Sequence, residues 1–177
     1  MTVDDIAREA GIAKGTLYAY FKSKEEVALA TIDGLIDNLV EELQEIARAT
    51  ESPANRLQQM LVFRILYLFD RAQERSHTLD DMYMALRPQY KAHRDRYMNA
   101  EAAVFAEVIV QGQEVGDFDP GSPSETAEAF ILATSSLTPF SLSIRELGAR
   151  DEIERKIRVI AKLLIHGIIC SGTNSSA

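Results

Sequence analysis

The sequence predicts an all-α fold, with an N-terminal helix-turn-helix joined by a long helix to a larger helical domain. Apolar residues make up 46% of the 177-residue chain, which contains only five prolines and nine glycines. Few positions therefore interrupt regular structure. The apolar residues recur every three or four positions along most of the chain, a spacing that places them on one face of a helix. A chain of this length can bury a full core.

Residues 2–24 (TVDDIAREAGIAKGTLYAYFKSK) predict two short helices joined by a tight turn. Thr2 is a candidate N-cap for the first helix. Gly11 can adopt the positive φ that ends this helix and turns the chain. The second helix directs Leu17 and Phe21, four residues apart, toward the interior. The residues left on its outer faces are Lys14, Thr16, Tyr18 and Tyr20.

The run IAREAGIAKGTLYAYFKSKEEV closely resembles the helix-turn-helix signature of the tetracycline-repressor (TetR/AcrR) family of bacterial transcriptional regulators. The glycine turn, the Leu-Tyr-x-Tyr-Phe helix and the Lys-Ser-Lys-Glu-Glu entry to the next helix occur in register. The rest of the chain fits the family in length and helix pattern. The resemblance implies a ligand-responsive transcriptional repressor that a small molecule releases from a palindromic operator.

By this resemblance the second helix enters the DNA major groove, and Gly15 lets its N-terminus approach a phosphate. The net charge of −8 is unevenly distributed, because Lys14, Lys22 and Lys24 are the only charged residues between positions 11 and 24. A local basic segment of this kind suits contact with DNA. The residues expected to bind DNA are Thr2, Lys14, Gly15, Thr16, Tyr18, Tyr20 and Lys24.

A long helix is predicted after this module. Ser23 is its candidate N-cap, Glu26 completes a capping box, and the apolar stripe continues to about residue 48. The resemblance implies that this helix transmits ligand binding to the DNA. Gly34 costs helix stability, on the order of 1 kcal/mol relative to alanine. Close helix packing is the favoured explanation, and a flexible point is the alternative.

Pro53 suits the first turn of the next helix, whose segment 57–69 is apolar on nearly every side and is therefore predicted to lie in the core. Arg64 lies in the middle of this segment. A buried guanidinium must be paired, so we expect a protein carboxylate or a route to the surface, with an anionic effector as the alternative.

The later elements are predicted from apolar spacing and from glycine and proline positions. They are a short segment over 79–86, a helix starting at Arg87–Pro88, a loop over 112–125, a helix over 124–147 that Pro139 kinks or breaks, and a helix over 150–170.

Aromatic and methionine side chains after Pro53 predict a cavity for a mainly apolar and possibly anionic ligand, with an ordinary core as the alternative. The residues expected to line it are Phe63, Arg64, Tyr67, Met82, Tyr83, Tyr97 and Phe105. The resemblance implies that the last two helices pair with their copies in a two-fold homodimer. The residues expected at that interface are Phe130, Ala133, Thr134, Leu137, Ser141 and Ile157.

Several other classes of function are disfavoured by the sequence. No apolar run is long enough for a transmembrane helix and no secretory leader is present, so a cytoplasmic location is expected. The single cysteine, Cys170, cannot form an intrachain disulfide. No phosphate-binding loop, metal motif or nucleophile–base arrangement is recognisable, so neither enzymatic activity nor a cofactor is expected.

The predicted organisation is a DNA-binding module over 1–24, an effector-binding and dimerisation domain over 25–171, and a flexible tail over 172–177. Members of the resembled family have another helix before the helix-turn-helix, whereas this sequence begins after it. The alternative function is therefore a helical homodimeric ligand-binding protein that cannot bind DNA as written.

Overall fold

Six α-helices account for most of the part of the chain that the structure describes, which confirms the all-α prediction. The structure is a computed structural model, and the residues it describes are 13, 15, 20–74, 76–139 and 144–170. Within these ranges, side chains are left undescribed at 24, 25, 28, 76–92, 144 and 145. The helices are α1 (Lys24–Ala47), α2 (Pro53–Glu74), α3 (Ser76–Glu114), α4 (Pro123–Thr134), α5 (Ile144–Leu147) and α6 (Arg150–His166).

Helices α1 and α2 begin at the caps that the sequence predicts. Ser23 has extended backbone angles, and its hydroxyl accepts a hydrogen bond from the Glu26 N–H. The Glu26 carboxylate accepts in turn from the Lys22 N–H at 2.6 Å, one residue before the expected capping-box partner. Pro53 is the first residue of α2, where its missing N–H costs nothing. These local signals fix where the two helices start.

Helix α2 is the centre of the core and packs against α1, α3 and α6. Its buried face confirms the prediction that segment 57–69 lies in the core. Removing such side chains from water stabilises the fold by about 1.5–3 kcal/mol each. The α2 residues with almost no exposed surface are Leu57, Met60, Leu61, Ile65, Leu68 and Phe69.

The predicted helix start at Arg87–Pro88 is wrong, because α3 runs without a break from Ser76 to Glu114 and contains Pro88. Proline at this position removes one N–H donor from the helix and crowds the preceding turn. A single lost hydrogen bond does not end a helix whose remaining turns are intact. The predicted loop also begins later than expected, at residue 115, because Gly112 still belongs to α3.

Pro139 breaks the chain as predicted, but α4 is shorter than the expected helix over 124–147. It ends at Thr134, continues as a 3₁₀ turn over Ser135–Leu137, and reaches extended backbone at Thr138. The ring of a proline disfavours helical angles in the residue before it, which accounts for the extended Thr138. The last helix also ends earlier than predicted, at His166 rather than Cys170.

The loop after α3 is held against the chain beyond α6. Phe118 and Ile169 form an isolated antiparallel bridge, with the Asp119 N–H donating to the Ile168 carbonyl at 2.8 Å. The buried Phe118 ring lies directly on Gly112, so closely that a methyl group there would fall 2.1 Å from the ring. Gly34 is the opposite case, because a methyl group there would meet no atom of the described residues within 4 Å. The described part of the chain therefore gives Gly34 no packing role.

Gly112→Ala is expected to lower the free energy of unfolding by about 1–3 kcal/mol, because overpacking forces the Phe118 ring to move. Gly34→Ala is the matched control, since it adds the same methyl group to a helix in open space. It should raise stability by up to about 1 kcal/mol. Chemical denaturation of both variants checks this pair, and equal shifts of the same sign would contradict the packing described.

None of the helices in the described residues combines the length and apolarity needed to cross a membrane.

Candidate DNA-binding and effector sites

The structure describes three of the seven residues predicted to bind DNA. Gly15 and Tyr20 are helical and exposed, and the Tyr20 side chain has 79% of its surface accessible. Lys24 is the first residue of α1. The predicted DNA contacts that lie outside the described residues are Thr2, Lys14, Thr16 and Tyr18.

A buried ion pair joins three helices in the core. The Arg64 Nε of α2 donates to the Glu101 carboxylate of α3, and the two residues are each 3% exposed. A second Arg64 nitrogen donates to the Thr134 hydroxyl of α4 at 3.2 Å. The expectation that Arg64 pairs with a protein carboxylate is confirmed. Because Glu101 neutralises the guanidinium, this polar centre does not need an anionic ligand.

Glu101 was missed by sequence reasoning, although the sequence carries a signal for it. It lies four residues after Tyr97 and four before Phe105, so it occupies the apolar face of α3. A charged residue in such a stripe needs a buried partner. The partner, Arg64, is 37 positions away and was identified only by the tertiary structure.

The predicted ligand-binding residues do not share one surface. Phe63 and Tyr67 are half-buried neighbours on α2, with ring centroids 5.5 Å apart. Arg64 and Phe105 lie in the core, and Tyr97 is buried against α1. The side chains of Met82 and Tyr83 lie outside the described residues.

An open groove of about 730 Å³ runs along α2 beside α6, and Phe63 and Tyr67 line it. Its arginines are already engaged. Arg71 lies over the Tyr67 ring and pairs with Glu74, while Arg150 donates to both oxygens of Asp70 at 2.7 and 3.0 Å. The groove therefore carries balanced charge, and nothing in it selects an anion.

A second polar network connects α1 to α3. The Tyr97 hydroxyl donates to the Asp33 carboxylate at 2.6 Å, and Arg96 pairs with the same carboxylate. Burial, followed by the hydrogen bond to Asp33, raises the pKa of Tyr97 to about 12. The phenol therefore remains a hydrogen-bond donor throughout the physiological pH range. Arg96 and Tyr97 are neighbours in sequence, but Asp33 lies more than 60 positions before them, and no motif links it to them.

The residues predicted at the dimer interface differ in burial, and only some of them lie on the surface of the protomer. Phe130, Thr134 and Ile157 are taken up by the core of the protomer, Ala133 is exposed, and Leu137 is half-buried. Ser141 lies outside the described residues. The same two helices expose other apolar side chains on the faces turned away from the core. These are Leu132 on α4, and Val159 and Leu163 on α6, which are 56%, 57% and 68% exposed.

Comparison with known proteins accounts for both parts of the chain. The family model described as bacterial regulatory proteins, tetR family, matches residues 1–31. The model described as tetracyclin repressor-like, C-terminal domain, matches residues 53–160. The HTH-type transcriptional repressor KstR2 of Mycobacterium tuberculosis (strain ATCC 25618 / H37Rv) is 31% identical over 140 residues, which are 76% of this chain and 67% of KstR2.

Solved structures show the same fold. A transcriptional regulator from Cytophaga hutchinsonii superposes with a TM-score of 0.73 at 18% identity, over 95% of this chain and 88% of that one. The ketosteroid transcriptional regulator KstR2 of Mycobacterium tuberculosis superposes with a TM-score of 0.55 at 25% identity, over 96% of this chain and 85% of that one. With family models matching both its N-terminal residues and its helical domain, the chain belongs to the TetR family of bacterial transcriptional regulators.

Proposed function

We propose that this regulator is a repressor that binds a palindromic operator as a homodimer and is released by a small, mainly apolar molecule. The observation that carries the proposal is the match of residues 1–31 to the tetR-family model, which continues into the first turns of α1. In this assignment, residues 1–24 contact DNA and residues 25–171 bind the effector and dimerise.

The second helix of the module is proposed to enter the major groove, with Lys14, Thr16 and Tyr18 near base edges and phosphates. Tyr20 and Lys24 would hold the DNA backbone. The high exposure of Tyr20 supports this role, since a large aromatic side chain is otherwise disfavoured in water. Lys24 is suited to a phosphate contact because it lies at the junction of the module and α1.

Lys24→Ala should weaken binding to all DNA sequences alike and make the dependence of log K on log salt shallower by about one per protomer, about two for the homodimer, because each protomer loses one phosphate contact. Operator binding titrated at several salt concentrations measures both effects. Arg48→Ala is the matched control. Arg48 caps the other end of α1, about 36 Å away along a helix of 24 residues.

The control should leave the salt slope unchanged. If Lys24→Ala and Arg48→Ala gave the same slope as the unmodified protein, the assignment of Lys24 would be wrong. If the protein selected no duplex from a random-sequence library, the repressor proposal itself would fail.

The effector is proposed to contact the polar centre of Arg64, Glu101 and Thr134, which is buried in the free protein, so that binding opens the core beside it. A guanidinium has five N–H donors, and the contacts to Glu101 and Thr134 use two of its nitrogens. Because Glu101 balances the charge, the fitting ligand is an apolar molecule with a carbonyl or hydroxyl acceptor. The similarity to a regulator described as a ketosteroid regulator supports this class.

The homodimer is proposed to form through the exposed faces of α4 and α6, which carry Leu132, Val159 and Leu163. Charge favours pairing α4 of one copy with α6 of the other. The exposed face of α4 bears Glu125 and Glu128, whereas the exposed charged residues of α6 include several cations. These are Arg155, Lys162 and Lys156, of which Lys156 already pairs with Glu152 of the same helix at 2.8 Å.

A further inference from the structure

Gly34 packs against none of the residues that the structure describes. It lies within the 24-residue helix α1, is exposed, and would tolerate a methyl group without contact. Its neighbours Leu35 and Ile36 are buried in the core. Glycine weakens the interior of a helix and makes it easier to bend. Of the two explanations for this residue, a flexible point is the one that remains.

Asp33, the residue directly before Gly34, anchors α1 to α3. Its carboxylate accepts from the Tyr97 hydroxyl at 2.6 Å and pairs with Arg96. Both partners, Arg96 and Tyr97, belong to α3, so the Asp33 side chain joins the two helices. The Tyr97 ring is 3% exposed, so its hydroxyl is held by a side chain fixed in the core.

The same face of α3 carries the buried ion pair. Glu101 lies four residues after Tyr97, which places the two side chains one above the other on the helix. Glu101 binds Arg64 of α2, and Tyr97 binds Asp33 of α1. A movement of α3 that alters the Glu101–Arg64 contact therefore also moves Tyr97, one helical turn away, and alters its hydrogen bond to Asp33.

We propose that the Asp33–Tyr97 hydrogen bond is the link through which α3 positions the DNA-proximal part of α1, with Gly34 as the point at which α1 bends. In this proposal Asp33 and Tyr97 act as positioning residues, because they join α1 to α3. Only the regulatory role of this link, its effect on DNA binding, rests on the proposed function. The mechanical link itself is a property of the free protein.

Amide hydrogen exchange of the free protein tests the link, comparing residues 24–33 with residues 39–47 of the same helix. Tyr97→Phe removes the hydroxyl and keeps the buried ring. It should speed exchange in 24–33 about ten-fold, the factor expected for one lost charge-assisted hydrogen bond, and leave 39–47 unchanged. Asp33→Asn should act in the same direction, and Gly34→Ala should slow exchange in 24–33.

Asp70→Asn is the matched control, because it breaks an exposed Arg–Asp contact between α2 and α6 and leaves α1 untouched. It should change neither segment of α1. Equal acceleration of 24–33 and 39–47 in Tyr97→Phe would show a general loss of stability and would overturn the link. Unchanged exchange in both segments would overturn it as well.

A second measurement separates the link from the proposed function. The probe is the duplex that the unmodified protein selects from a random-sequence library. Tyr97→Phe should alter the affinity for this duplex at least about five-fold, the lower range of allosteric coupling, while Asp70→Asn should not. If hydrogen exchange shows the link but the protein selects no duplex, the mechanical inference stands. Only the repressor proposal is then rejected.

Discussion

Replacing Glu101 with leucine is expected to lower the free energy of unfolding by about 3–5 kcal/mol, the largest effect of any substitution considered. The change leaves the guanidinium of Arg64 buried at 3% exposure without its counterion. The hydroxyl of Thr134 remains as an acceptor for the guanidinium but supplies no charge. Urea denaturation followed by far-ultraviolet circular dichroism measures the loss.

The double variant Arg64→Met, Glu101→Leu is the control for this prediction. It removes both charges and replaces them with apolar side chains of similar size, which is often neutral or stabilising for a buried pair. The double variant should therefore recover most of the stability lost in Glu101→Leu. A double variant as unstable as the single one would show that packing, rather than the unpaired charge, causes the loss.

The same double variant separates stability from effector binding. If Arg64 supplies a donor to a ligand carbonyl, a neutral ketosteroid such as 4-androstene-3,17-dione should raise the melting temperature of the unmodified protein and not that of the double variant. A bile-acid carboxylate of similar size serves as the anionic comparison. Greater stabilisation of the unmodified protein by the carboxylate than by the ketosteroid would contradict the proposed ligand class.

Replacing Leu163 with glutamate is expected to dissociate the proposed homodimer. Leu163 is 68% exposed in the protomer, so the substitution leaves the fold of one chain intact. At an apolar interface it would bury an unpaired charge, and we expect the dimer dissociation constant to rise at least about 100-fold. Sedimentation equilibrium at micromolar concentration measures this change. Affinity for a palindromic operator should fall as well, because two recognition helices must bind together.

Val110→Glu is the matched control for Leu163→Glu. Val110 is also an exposed apolar residue, 38% accessible, but it lies on the outer face of α3 rather than on α4 or α6. Val110→Glu should leave the dimer dissociation constant unchanged. If both variants remained dimeric, the interface would lie elsewhere than on α6. If both became monomeric, charge at any apolar surface position would be the cause.

Local signals in the sequence predicted the points at which the chain enters and leaves its helices. Ser23 and Pro53 start α1 and α2, and Pro139 prevents α4 from continuing. The reason is that capping and the restricted backbone of proline act within one turn. Pro88 shows the limit of this reasoning, because one missing hydrogen bond was outweighed by the rest of α3.

The candidate sites also differ in how much of each the sequence alone could predict. The DNA-binding signature is contiguous, so the sequence by itself determined the family and the all-α fold. It also required a partner for Arg64, since a buried charge without one is too costly. Only the tertiary structure decided that this partner is Glu101, 37 residues away, and that Asp33 meets Tyr97 across 64 residues. It also decided which faces of α4 and α6 are exposed. Such pairings depend on how the helices pack together, and helical periodicity defines a face without defining what that face contacts.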